Sequence, residues 1–376
     1  MQLEELQTAG RLRESDDGAR RRGAMAAAEE LGVDFVDASS NDYLGLAGLD
    51  VSRETRVQVG AGASRLIHGT REPHVALEAA LSEWVGSETA LLFSSGYAAN
   101  VGLLSALGVT GGVILSDQLN HASIVDGCRL GRARVEVIPH LDLAATERSL
   151  ARLGPEQPRW VVTEASFSMD GDGPDLGVLR GLCDRHGAGL IVDEAHSLGV
   201  LGPRGAGRCA EAGVVPDALV GTLGKAVGTQ GAFVAGSRQL RELLWNKARS
   251  FVFSTGTSPL VAAISTLHVE RAREGDDLRA AVLRSSRELR ELLAQRGVAV
   301  PAGLGGPIVP VMVGDNERAL HVARRLEASG ILVQAIRPPT VPAGSARVRL
   351  TVTAAWPPGA PARVADAVAD ALASSA

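Results

Sequence analysis

Between residues 89 and 236 short apolar runs alternate with amphipathic stretches of helical period. TALLFSS, GGVILSD, ARVEVIP, RWVVTEAS, GLIVDEAH, DALVGTL and QGAFVAG are the strand candidates. Buried strands joined through helical segments imply right-handed crossovers, hence a mostly parallel central sheet with helices on both faces. The step from DALVGTL to QGAFVAG is too short for a helix and predicts one antiparallel pairing.

Outside this stretch the pattern changes. The first thirty residues read as a charged helix with an arginine cluster at Arg20, Arg21 and Arg22, followed by a short strand, VDFVDA. After residue 270 a long helix, DDLRAAVLRSSRELRELLAQRG, precedes strand GPIVPVMVG, helix NERALHVARRLEASG, strands ILVQAI and ARVRLTVTAA, and a terminal helix. The organisation expected is an N-terminal helical arm over 1–45, a large domain over 46–270 and a small C-terminal α+β domain over 271–376.

Composition narrows the class. Apolar residues make up 45% of the 376-residue chain but aromatics only 3%, so Ala, Val and Leu must fill the core, and 44 glycines allow many close backbone approaches. A net charge of −5 with scattered arginines argues against a nucleic-acid surface. The three cysteines, Cys128, Cys183 and Cys209, show no metal spacing and read as reduced thiols. No apolar run approaches the roughly 18 residues of a membrane span, and the acidic start is unlike a secretory signal, so a cytoplasmic location is expected.

Lysine usage supplies the first chemical clue. Of 38 Lys plus Arg, only Lys225 and Lys247 are lysines. Arginine can supply a surface charge, but only an ε-amine can lose its proton and form a Schiff base. Lys247 lies among helix-forming polar residues, whereas Lys225 follows the strand DALVGTL. In an open parallel sheet, ligands gather at the carboxyl ends of strands. Asp193 and His196 lie at one such end, Ser166 and Ser168 at another and Thr222 at a third, while TALLFSSGYAAN runs through Ser95 and Gly96 into a helix whose N–H groups suit a phosphate.

Rival motifs lack their context. The tetrad DEAH would need a phosphate loop, but Leu219 stands where its first glycine belongs and Ala226 follows Lys225. GAGRCA follows a loop rather than a strand, and the eight histidines show no paired spacing for zinc. An amine, a carboxylate for a pyridine nitrogen and phosphate donors together suit pyridoxal 5′-phosphate (PLP).

SNDYLGL, SRLIHGTREPHVALE, LLFSSGYAAN, NHAS, EASFSMDGD, IVDEAHSLGVLG, GTLGKAVG and IRPPTVPAGSARVRLTVTAA resemble, in order, segments of the α-oxoamine synthases, fold type I PLP-dependent transferases. The resemblance spans nearly the whole chain. It implies that Lys225 holds the cofactor covalently and removes an α-proton, that Asp193 pairs with the pyridinium, that His196 bonds the ring hydroxyl and that His121 stacks on the ring. Ser168 and Thr222 would contact the cofactor or its phosphate, the backbone at Gly96 and Tyr97 the phosphate, and Ser254 and Thr255 a site across a homodimer interface. Arg349 would clamp the amino-acid carboxylate, with Arg20 and Thr340 at the acyl group. The segment from Ile336 to Ala355 is most similar to members that condense L-alanine with pimeloyl-CoA or a pimeloyl carrier protein; relatives use glycine or serine and other acyl donors. A catalytically silent subunit would be expected to lack Lys225, Asp193 or His121, and all three are present.

Overall fold

The computed structural model describes residues 18–49 and 57–374. Two compact units emerge. One comprises Leu44–Ser168 and Asp172–Arg279; the other comprises the described residues of Met1–Tyr43, with Met169–Gly171 and Ala280–Ala376.

The larger unit is built on a seven-stranded sheet. After the short β1 (Val36–Asp37), which belongs to the other unit, its strands in chain order are β2 (Thr89–Phe93), β3 (Val113–Asp117), β4 (Arg134–Ile138), β5 (Arg159–Glu164), β6 (Gly189–Asp193), β7 (Ala218–Thr222) and β8 (Ala232–Gly236), so all seven candidates form strands. Their spatial order is β2-β8-β7-β6-β5-β3-β4. Val113, Ile114 and Leu115 of β3 are consecutive and fully buried, which requires cover on both faces. One face packs on the helices Gly96–Leu107, Ala122–Leu130 and Arg238–Lys247 through Leu103, Leu104, Ile124 and Leu244.

The expected antiparallel step is present: β8 runs antiparallel to β7, and also to β2 on its other side. This second pairing matters for the site. Phe93 of β2 and Thr222 of β7 both face Ala232 in register, so two carboxyl ends flank the start of β8 at one level.

The other unit has a three-stranded antiparallel sheet, β11-β12-β9, formed by β9 (Ile308–Gly314), β11 (Gln334–Ile336) and β12 (Ala346–Thr351). Helices Asn316–Glu327 and Ala360–Ala373 pack on it through Val322, Leu326, Val364 and Val368. The stretch ILVQAI, expected as one strand, divides at the buried Val333 because its first half, β10 (Ile331–Leu332), pairs in parallel with β1 while its second half pairs with β12. The β1–β10 ladder also gives the physical reason that the N-terminal segment, expected as a separate arm, groups with the C-terminal residues. Its helix is described from Ala19 to Leu31; residues 1–17 of the expected charged helix lie outside the described residues. Among the described residues no helix is long and apolar enough to cross a membrane.

Candidate active site

Strand register brings the chemistry together. Glu164 at the end of β5 is opposite Asp193 at the end of β6, and Asp193 is opposite Val220 on β7, two residues before Thr222. The chain then turns through Gly224 and Lys225. Gly228 closes this turn at φ +71°, and a Cβ there would lie 2.5 Å from the Ala47 nitrogen, so the position demands glycine for both conformation and space.

Lys225 Nζ lies 2.7 Å from His196 Nε2. His196 is buried, and Lys225 is partly so. Thr222 Oγ1 accepts from the Gly224 N–H at 3.2 Å, which ties the lysine turn to its strand. Across β8, a Cβ on Gly96 would lie 4.0 Å from Thr222 Oγ1, which places the start of helix Gly96–Leu107 beside the threonine. Ser95 caps that helix by accepting from Ala98 N–H, leaving the Gly96 and Tyr97 N–H groups without intrahelical acceptors. The Tyr97 side chain turns away and donates to Asp126 at 2.6 Å.

Asp193 is 6% exposed and accepts from the Ala195 N–H at 2.9 Å and from Asn100 Nδ2 at 2.7 Å. The same Asn100 amide donates to Ser123 Oγ at 3.0 Å, and Ser123 Oγ lies 2.7 Å from His121 Nδ1. Nδ1 also accepts from the Ser123 N–H, so its lone pair is committed and the ring proton falls on Nε2. An unbroken chain therefore runs from the His121 ring through Ser123 and Asn100 to the Asp193 carboxylate. Desolvation holds the His121 pKa below its ordinary value against the pull of Asp193, and Lys225 adds to the lowering.

Glu164 accepts from the His121 N–H at 2.6 Å and from the Ser168 N–H, buttressing two expected site residues at once. Burial pushes its carboxyl pKa up, and Asp193 pushes it further. Sequence reasoning missed Asn100, Ser123 and Glu164. Asn100 and Ser123 stand inside LLFSSGYAAN and NHAS, and Asn100 was legible as an amide among apolar residues of a buried helix; Glu164 was legible as a carboxylate ending an apolar strand.

The remaining expected residues are held by other contacts. Thr255 forms a bridge with Ser64, and Gly256 N–H donates to the Ala63 carbonyl, so the Ser254–Thr255 segment is anchored on the SRLIHG turn. His74, at the start of the helix Glu72–Val85, accepts from the Arg71 N–H through Nδ1. In the other unit, both terminal nitrogens of Arg349 donate to Asn41 Oδ1 at 3.1 Å, and one also donates to Thr351 Oγ1. Arg20, expected at the acyl group, donates to Glu327, Gln334 Oε1 and the Val333 carbonyl. Thr340 is exposed in the loop after β11, its N–H donating to the Arg337 carbonyl.

The rival motifs also resolve. Glu194 of DEAH accepts from the Arg208 and Cys209 N–H groups, so a protein carboxylate fills the short helix start within GAGRCA where a phosphate would have to bind.

The donor set fits PLP on a specific observation. Asp193 is buried and its carboxylate is hydrogen-bonded by two neutral amides, the Asn100 side chain and the Ala195 N–H. A buried carboxylate calls for a cationic partner, and a pyridinium is one.

Such a sheet, with amine, carboxylate and helix N-terminus at its carboxyl ends, defines a fold type I PLP-dependent transferase, and the chain belongs to the aminotransferase class I and II family, whose model matches residues 33–368. The chain is 45% identical to the 8-amino-7-oxononanoate synthase of Geobacter sulfurreducens, over 94% of this chain and 92% of that protein. Among solved structures it is similar to the serine palmitoyltransferase of Sphingomonas wittichii, with 29% identity, a TM-score of 0.86 and coverage of 96% and 99% of the two chains. A structure titled as SPT with a PLP internal aldimine matches at 28% identity and a TM-score of 0.87, over the same shares.

Proposed function

We infer that this chain is a PLP-dependent acyltransferase that condenses L-alanine with a pimeloyl thioester to give 8-amino-7-oxononanoate, carbon dioxide and free coenzyme A or carrier protein, in biotin biosynthesis. The observation that carries the chemistry is the Lys225–His196 contact beside the Asp193 carboxylate. Identity of 45% to an 8-amino-7-oxononanoate synthase supports this product over that of the less similar serine palmitoyltransferases.

Lys225 supplies the amine for the cofactor's aldehyde, Asp193 the counter-charge for its ring nitrogen, and the Gly96 and Tyr97 N–H groups with Thr222 the donors for its phosphate. When bound, PLP supplies an electron sink for the carbanion. His196, 2.7 Å from Nζ, orients the amine that takes the α-proton of alanine. The ring of His121, its tautomer set by Ser123, would stack on the cofactor ring and leave Nε2 carrying the proton. Ser168 is held by Glu164 at the same edge. Arg349 has the planar fork suited to the alanine carboxylate, with Asn41 already aligned on it. Ser254 and Thr255 are read as facing a second copy in a homodimer. Arg20 and Thr340 stay assigned to the acyl end, where Arg20 would have to release its present acceptors.

The test is a panel of thioesters, including pimeloyl-CoA and pimeloyl carrier protein, incubated with PLP-loaded protein and alanine, glycine or serine. The expected result is 8-amino-7-oxononanoate from alanine and a pimeloyl donor. Preference for glycine, or for serine with a long acyl chain, would assign the chain to another α-oxoamine synthase activity.

A further inference from the structure

A second cluster of charge lies at the carboxyl edge of the same sheet. His140, just after β4, places Nδ1 2.8 Å from Asp117 Oδ1 at the end of β3 and Nε2 3.1 Å from Asp172 Oδ2. A neutral imidazole has one N–H, so it cannot donate to two carboxylates; the geometry requires the imidazolium. The ring also meets Phe167 edge-on, with centroids 4.5 Å apart.

The surroundings are fixed at both ends. Asp117 accepts from the Leu119 N–H and, through its other oxygen, from the Leu141 N–H at 2.9 Å. Leu141 has φ +58°, a conformation that side-chain-bearing residues avoid unless neighbours impose it. At the other end the Phe167 N–H donates to the Asp172 carbonyl at 2.8 Å, closing a turn that contains Ser168. A Cβ on Gly173 would lie 2.2 Å from the Ala165 carbonyl oxygen, so this turn has no slack.

We propose that His140, as an imidazolium clamped between Asp117 and Asp172, is a positioning residue that fixes the Phe167–Asp172 turn and through it sets Ser168 for the cofactor. The assignment of Ser168 rests on the function proposed above; the clamp itself rests on the geometry. Asp117 and Asp172 are the charged groups that face the ring, and they raise its pKa to about 10 against the desolvation that opposes protonation. The folded value lies above the ordinary 6.5. The clamp's contribution is therefore full below pH 6.5 and is lost as pH rises through about 10.

The experiment uses PLP-loaded wild-type protein, His140→Gln and Asp172→Asn. In ring-labelled histidine NMR, the signal that His140→Gln removes should still be imidazolium at a pH about two units above the ordinary histidine midpoint. In Asp172→Asn that midpoint should fall by about one unit or more, because one facing charge is gone while a hydrogen-bonding side chain remains. Amide exchange at Phe167 and Ser168 should accelerate on the order of tenfold in His140→Gln, and PLP affinity should weaken about tenfold, with kcat at saturating PLP changed less than the affinity. A midpoint near that of free histidine in the wild type, or one unmoved in Asp172→Asn, would overturn the clamp. Unchanged exchange and PLP affinity in His140→Gln would overturn the positioning role. Should His140→Gln not fold, Asp172→Asn alone decides, through its midpoint and its exchange. Ring titration and amide exchange do not depend on which substrates react, so failure of the condensation assay would be distinguishable from failure of the clamp.

Discussion

Replacing Lys225 by arginine separates what its amine does from what its charge does. The variant should melt like the wild type yet lose activity by at least roughly 10²–10⁴-fold, the range for loss of a positioned proton-transfer group. Steady-state rates beside a thermal melt check both halves. Asn100 tests the chain of bonds that joins Asp193 to His121. Asn100→Ala leaves a buried carboxylate one donor short and should cost about 1–3 kcal/mol of stability, read by denaturant unfolding. His121 supplies the pH dependence. Its folded pKa is lowered, so its neutral form, and the stability it contributes, persist above the ordinary 6.5 and are lost as pH falls through the depressed folded value. The acid limb of kcat/KM should accordingly lie below pH 6.5. An acid limb unchanged in His121→Asn would assign it to another group. Lys225, Asp193, His196 and His121, the residues to which the proposal assigns the chemistry, stood out in the sequence because their residue types are scarce or end apolar strands. The residues that hold them did not: Asn100 and Glu164 act through partners 23 to 93 positions away, and Ser123, two residues from His121, matters through its bond to Asn100.

All seven strands of the large sheet were legible from apolar runs, and so was the antiparallel β7–β8 step from its length. The pairing of β8 with β2 was not, because nothing local distinguishes a strand that also takes β2 on its other side from one that ends the sheet. That pairing is what sets Gly96 beside Thr222. The division of ILVQAI into β10 and β11 was equally hidden, since β1, the partner that claims its first half, lies almost 300 residues earlier in the chain. The lysine turn is the element most exposed to a single change. Gly228→Ala combines a left-handed φ with a Cβ 2.5 Å from the Ala47 nitrogen, and should destabilise by about 1–3 kcal/mol. It should also weaken PLP retention, because the strain falls three residues from Lys225. Calorimetry and PLP absorbance measure the two effects.

For the whole chain, the sequence pattern predicts three consecutive segments, whereas compactness groups the described residues of the first with the last, which share the β1–β10 ladder. Assembly is the other whole-chain property. Val59, Ile67 and Phe253 of the larger unit are 67%, 77% and 73% exposed, and Phe253 directly precedes Ser254 and Thr255 in the chain. Phe253→Asp should shift sedimentation from dimer to monomer and reduce PLP binding with it; a wild-type protein that sediments as a monomer at micromolar concentration would remove Ser254 and Thr255 from the site. The proposal as a whole turns on where PLP attaches. Borohydride reduction of the PLP-loaded protein, followed by peptide mass mapping, should find a pyridoxyl group on Lys225 alone. A label on Lys247, or no covalent label at all, would contradict it.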